Sequence, residues 1–178
     1  MDDRAATEEG DLAARAGRGC EDSFRQLFDR YYPLIHSYAW RFCGDAAAAD
    51  DIAQQTFIKA ASALRSKRGL NHFKPWIYRV ALNTARDHQR GVARYRQRID
   101  QLESEPSHEI PETGKYERLG EVLSQLPSAI RETVLLVFAQ GLTHKESAAV
   151  LNCPEGTVAW RISEARRILK QTTLASDG

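Results

Sequence analysis

The chain has no apolar run approaching the eighteen or so consecutive residues of a membrane span, and its acidic, alanine-rich N-terminus lacks the charged-then-apolar layout of a secretory signal. A cytoplasmic protein is expected. Cysteine is scarce: Cys20, Cys43 and Cys153 are odd in number, far apart and without a C-x-x-C pair, so neither a disulfide framework nor a zinc site is indicated. Histidine offers no more. His36, His72, His88, His108 and His144 show no ligand spacing and no matching acid motif, so no metal, cofactor or catalytic centre is expected. Net charge is nearly absent too, +1 over 178 residues of ordinary composition, 42% hydrophobic and 28% charged. That length holds one ordinary domain or two small ones.

The near-neutral total conceals a segregation of charge. Between Arg65 and Arg98 ten basic residues stand against Asp87 alone, a local net charge of +9. A field concentrated on one segment of a neutral chain points to a polyanion-binding patch. At its centre, Asn71 to Arg90 predicts a helix, with Pro75 in a first turn and no glycine or further proline before Gly91. At about 100° per residue, Ile77, Val80, Ala81, Thr84 and His88 share an inward seam. Trp76, Arg79, Asn83, Arg86, Asp87 and Arg90 share the opposite face. An aromatic ring for stacking, an amide for base edges and guanidinium groups for phosphates suit nucleic acid.

Upstream, residues 1–19 show no periodicity and predict a flexible lead. Phe24, Leu27, Phe28, Tyr31, Ile35, Tyr38 and Phe42 then recur at steps of three and four, an amphipathic helix ended by Cys43-Gly44. A second helix is expected from Ala46 to Leu64, with Ala53, Phe57, Ala60 and Leu64 inward. It leaves Asp50, Asp51, Gln54 and Gln55 as an acid-led outer surface whose plainest reading is a solvated face. Downstream, acids dominate from Asp100 to Glu117 among Pro106, Pro111 and Gly114, which predicts a flexible acidic linker over 99–116.

The last part, 117–178, reads as helices throughout. Leu119, Val122, Leu123 and Leu126 precede Pro127, and Ile130, Val134, Leu135 and Phe138 form the seam of a helix ended by Gly141. T-H-K-E from Thr143 to Glu146 is a capping box. A short helix, a tight N-C-P-E turn and a further helix through Lys170 complete a helix-turn-helix. With Val158, Ile162, Ala165 and Leu169 inward, Thr157, Trp160, Ser163, Glu164 and Arg167 face outward. The fold class is therefore all-α, two small helical domains (20–98 and 117–178) joined by the acidic linker.

Several motifs appear in a specific order: D-I-A-Q-Q-T-F at Asp51 to Phe57, F-K-P-W-I-Y-R-V-A-L-N at Phe73 to Asn83, L-S-Q-L-P at Leu123 to Pro127, then G-L-T-H-K-E-S-A and C-P-E-G-T-V. Together they resemble the extracytoplasmic-function (ECF) sigma factors of bacterial RNA polymerase, over about Ser23 to Lys170. The resemblance implies an alternative sigma factor that recruits core RNA polymerase to promoters and helps melt the minus-ten region. It implies core-polymerase contacts at Asp50, Asp51, Gln54, Gln55 and Phe57, with Gln55 standing where the family usually has an acid. It implies minus-ten DNA contacts at Asn71, His72, Phe73, Trp76, Arg79, Asn83, Arg86 and Arg90. Minus-thirty-five contacts are implied at Thr157, Trp160, Arg161, Ser163, Arg166 and Arg167. Ala159, Trp160 and Glu164 depart from the family's usual basic pattern, so the base preference is not inherited, and packing of Trp160 on a neighbouring helix or a partner protein is an equal alternative. Regulation is expected from an anti-sigma factor. The competing reading is a one-component helix-turn-helix regulator, which leaves the Asp51 and Trp76 surfaces without a task.

Overall fold

The computed structural model describes residues 3–66, 72–100 and 122–176, with side chains over 7–66, 72–98 and 122–171. Among these residues the regular structure is entirely helical: α1 (Asp3–Gly17), α2 (Glu21–Cys43), α3 (Ala46–Ser66), α4 (Phe73–Asp100), α5 (Ser128–Val134), a π-helical turn (Leu135–Ala139), α6 (His144–Leu151) and α7 (Glu155–Ser176). They fall into two compact units divided between residues 109 and 110. The expected linker, 101–116 above all, lies outside the described residues.

In the first unit, α2, α3 and α4 bury the seams their periodicity prescribes. Leu27, Tyr31, Ile35, Tyr38 and Phe42 on α2 meet Ala53, Phe57, Ala60 and Leu64 on α3 and Ile77 and Ala81 on α4, all buried. The buried seam of α4 is wider than periodicity alone suggested, taking in Tyr78, Leu82 and Ala85, while Val80 and His88 are only half-buried. Ring contacts knit the core: Phe28 to Phe57 at 4.8 Å, Tyr38 to Tyr78 edge-on at 6.0 Å, and Tyr31 to Phe73 at 5.2 Å. The helix ends are set locally. Gly44 closes α2 in the left-handed region (φ 73°), its N–H donating to the Trp40 carbonyl, and Asp45 starts α3 by accepting from the Ala48 N–H at 2.7 Å.

Two expectations are overturned here. The N-terminal lead is a fifteen-residue helix, not a frayed tail. Leu12, Ala13 and Ala16 are buried, and α1 packs against α2, α3 and α4. Its three apolar positions at steps of one and three form a narrow stripe, which the surrounding acids and glycines mask in the sequence. The Tyr31 hydroxyl also donates to Glu9 at 2.5 Å, and Arg30 pairs with the same carboxylate at 3.3 Å. Burial first, then the Glu9 carboxylate, push the Tyr31 phenol well above its ordinary range, so it stays a donor. The second correction is Gly91, which does not end α4; the helix runs on to Asp100. One interior glycine costs about 1 kcal/mol relative to alanine, which the good helix formers around it offset.

In the second unit the capping box is present in full: Glu146 N–H donates to the Thr143 hydroxyl and the Glu146 carboxylate accepts from the Thr143 N–H at 2.7 Å. Asn152 takes the left-handed conformation (φ 52°) that the turn into α7 requires. The expected seam ahead of it is altered. Phe138 is 59% exposed, because the π turn, with Gln140 N–H donating to the Leu135 carbonyl, inserts one residue and places Leu136 inward instead.

Candidate nucleic-acid and partner interfaces

The outer stripe of α3 is built by helical spacing on a well-filled inner face. Asp51, Gln54 and Gln55 are exposed, and so is Ile58, four residues beyond Gln54 and 59% exposed. Ile58 was missed because it is apolar; counting i, i+4, i+7 from Asp51 would have found it. Asp50 lies beside this stripe and is exposed, but His36 on α2 approaches its carboxylate at 3.0 Å, and Tyr32 stacks over that imidazole. Phe57 is corrected as a contact residue: at 4% exposure it packs against Phe28 and Tyr32 and serves the stripe from below.

The outer face of α4 stands as its periodicity predicts. His72, Arg79, Asn83 and Arg90 are exposed, and Trp76 and Arg86 are half-buried. Asn71 lies outside the described residues. Phe73, implied by the resemblance as a minus-ten contact, is buried at 1% and sits between two rings, Tyr31 and Trp76, the latter at 5.5 Å. Trp76 is thus a ring on a ring, rooted in the core. Asp87, the acid of the basic segment, is neutralised twice: Arg90 binds it along the helix and Lys59 reaches it from α3 at 3.8 Å. Lys59 also donates to the Thr84 hydroxyl at 3.0 Å, tying α3 to α4 just behind their two outer faces.

On α7, Val158, Ile162 and Ala165 are buried as expected, and Leu169 is half-buried. The outward stripe is Ala159, Trp160, Ser163, Arg166 and Arg167, all exposed, with Thr157, Arg161 and Glu164 half-buried on its flank. Trp160 is 61% exposed, which removes packing on a helix of its own unit as its role. Arg167 is not a free cation. Its Nε and Nη2 donate to the two Glu164 oxygens at 2.8 and 2.6 Å, and its Nη1 to Gln171 at 3.0 Å. These bonds hold the Glu164 carboxyl below its ordinary range and the Arg167 guanidinium above its own.

The described residues hold no cluster of His, Cys, Asp or Glu able to bind a metal ion, and no helix among them is long and apolar enough to cross a membrane. What the two units offer is surface for macromolecules: an acid-led stripe, an aromatic-basic face and a helix-turn-helix.

Comparison with known proteins agrees with that division. The family model for sigma-70 region 2 matches residues 27–95, and that for sigma-70 region 4 matches 116–169. The chain is 35% identical to the RNA polymerase sigma-H factor of Pseudomonas aeruginosa, covering 92% of this chain and 93% of that one. It is 33% identical to the ECF RNA polymerase sigma-E factor of Escherichia coli K12, over 89% and 90% of the two chains. Among solved structures, CnrH in complex with the cytosolic domain of CnrY superposes with a TM-score of 0.74 at 28% identity, covering 97% of this chain and 99% of CnrH. With both regions matched and relatives aligned over nearly their full length, the chain belongs to the ECF group of sigma-70 family sigma factors.

Proposed function

We propose that the chain is an alternative sigma factor that docks on core RNA polymerase through the α3 stripe, melts the minus-ten element on the α4 face and reads the minus-thirty-five element with α7. It acts by binding, with no chemistry of its own. The observation that carries this reading is the pairing of two differently charged outer faces on adjacent, cross-tied helices. Asp51, Gln54, Gln55 and Ile58 on α3 suit a protein partner that supplies cations and apolar surface, while Trp76, Arg79, Asn83, Arg86 and Arg90 on α4 suit unpaired DNA. Extruding a base costs a few kcal/mol, and stacking on a fixed ring returns about 1–3 kcal/mol of it. His72 stands exposed at the start of that face.

A lone helix-turn-helix regulator would use α7 and leave both faces of the first unit idle. Run-off transcription with added core polymerase is the decisive test: promoter-specific transcripts that appear only when this chain is added support the reading, and their absence on a promoter pool would overturn it.

The partner set also includes an anti-sigma factor. CnrH is held by the cytosolic domain of another protein, and an inhibitor that grips both units of this chain would gain from the high effective concentration of its second contact. Titration of residues 1–100 and 117–178 separately against such a partner should give weaker binding than the whole chain. The first fragment must keep α1, whose apolar stripe completes the core of that unit.

A further inference from the structure

We infer that Trp160, with Ala159 beside it, selects promoter duplex by the C5-methyl group of thymine in the major groove. The inference rests on the proposed role of α7 and names the chemistry by which that helix reads sequence.

The N-terminal half of a recognition helix is the part that meets base edges. On α7 the first exposed positions of the outward stripe have little hydrogen-bonding capacity: Ala159 has no polar side-chain atom, Trp160 has a single indole N–H on a large exposed ring, and the Ser163 hydroxyl follows one turn later. The side chains best able to read bases by paired hydrogen bonds are elsewhere or engaged. Arg167 stands two turns further on, and three of its nitrogens are bonded to Glu164 and Gln171. Arg161 is half-buried on the flank. The exposed cations Arg166 and Lys170 lie on the C-terminal half, and cations of this kind suit phosphates. Duplex DNA is therefore the occupant that matches the stripe, apolar at Ala159 and Trp160, a hydroxyl at Ser163 and cationic beyond.

Within the major groove only thymine offers an apolar group, its C5-methyl, and it carries an O4 acceptor beside it. A tryptophan ring with one N–H complements that pair. Guanine and adenine edges, rich in acceptors or donors, would be left without partners against Ala159 and Trp160.

The test uses holoenzyme assembled from the full chain and core polymerase. Transcribed templates are first selected from a promoter pool randomised over the minus-thirty-five region. Each thymine in the selected sequence, on either strand, is then replaced by uracil, which removes the methyl and nothing else. Wild-type holoenzyme should bind at least one uracil-substituted promoter about fourfold more weakly, the worth of one buried methyl-sized group. Trp160→Ala should bring the thymine-to-uracil ratio at that position to one, and Trp160→Phe should keep most of it. Three results would overturn the inference: no position sensitive to uracil, a ratio unchanged in Trp160→Ala, or a loss in Trp160→Ala confined to binding of core polymerase or another protein. A wild-type holoenzyme that selects no promoter at all would instead remove the sigma-factor reading beneath it.

Discussion

Two helices of this molecule carry a tryptophan on the face proposed here for nucleic acid, and they hold it in opposite ways. On α4, Trp76 is half-buried and leans on Phe73, which itself packs against Tyr31, so the ring is buttressed from the core. On α7, Trp160 is 61% exposed. A base leaving the duplex brings its own conformational cost, and a platform that is already ordered adds none. A ring that slides into an intact groove must instead adapt to the edges it meets. The charge settings are alike in one respect, since each helix has an acid paired with the arginine three residues on, Asp87 with Arg90 and Glu164 with Arg167; they differ in that Asp87 is also met by Lys59 from α3. On the proposed function, the first helix would hold single strands and the second would weigh duplex sequences.

If the rigidity of the α4 platform comes from the core beneath it, loosening that core should give the largest effect. Leu12 of α1 is 6% exposed and belongs to a helix that packs on α2, α3 and α4. Leu12→Ala should cost about 2–5 kcal/mol and lower the melting midpoint of the first unit by about 10 °C or more, leaving the second unit unchanged. An unshifted midpoint in calorimetry would mean that α1 contributes nothing.

Removing the platform itself comes next. Trp76→Ala and Asn83→Ala should each reduce open-complex formation by roughly 10- to 100-fold, the worth of one stacked or edge-bonded base. Permanganate reactivity of thymines near the start site reads that step, and gel-shift affinity of the closed complex should fall much less. Equal losses in both assays would make the α4 face a plain phosphate-binding surface and erase the contrast with α7.

The α3 stripe provides a control that should move neither DNA assay directly. Arginine at both Asp51 and Gln54 should weaken capture of core polymerase by on the order of tenfold with unchanged helical circular dichroism, since charge-assisted contacts contribute about 1.5–3 kcal/mol. Ile58→Ser should add to the loss. Retention of full binding would place the polymerase contact elsewhere.

Much of this arrangement was legible in the residues because long amphipathic helices announce themselves. The aromatic seam of α2, the inward set of α3 and the capping box at Thr143 all stand where periodicity and side-chain chemistry put them. What escaped did so for identifiable reasons. The stripe of α1 is only three residues wide and its burial depends on tertiary contacts that no local pattern encodes. Gly91 read as a stop, yet a single glycine is a small penalty inside a 28-residue helix. Phe138 was assigned inward by a 3.6-residue count, which fails across a π turn. The family motifs put Phe57 and Phe73 among the contact residues; both are buried, Phe57 on the inward seam that periodicity gives it, where they support the residues that do face out.

The smallest effect concerns the pair on α7. The Arg167 hydrogen bonds depress the folded Glu164 carboxyl below its unfolded value, so whatever stability the pair gives is present above about pH 4.5 and is lost as pH falls through the depressed folded value. Near neutral pH the pair is intact, and its consequence there is electrostatic: Glu164 offsets one of the charges that Arg166, Arg167 and Lys170 would otherwise bring to the backbone. Glu164→Gln should therefore let Arg167 take a phosphate. Each added phosphate contact steepens the dependence of log affinity on log salt by about 0.9, so closed-complex binding by the variant holoenzyme should show a slope steeper by about that amount. Its affinity should rise at low salt while its discrimination between thymine and uracil stays as in wild type. An unchanged salt slope would mean that Arg167 already leaves Glu164 for the backbone when DNA arrives, and the pair would then exist only in the free protein.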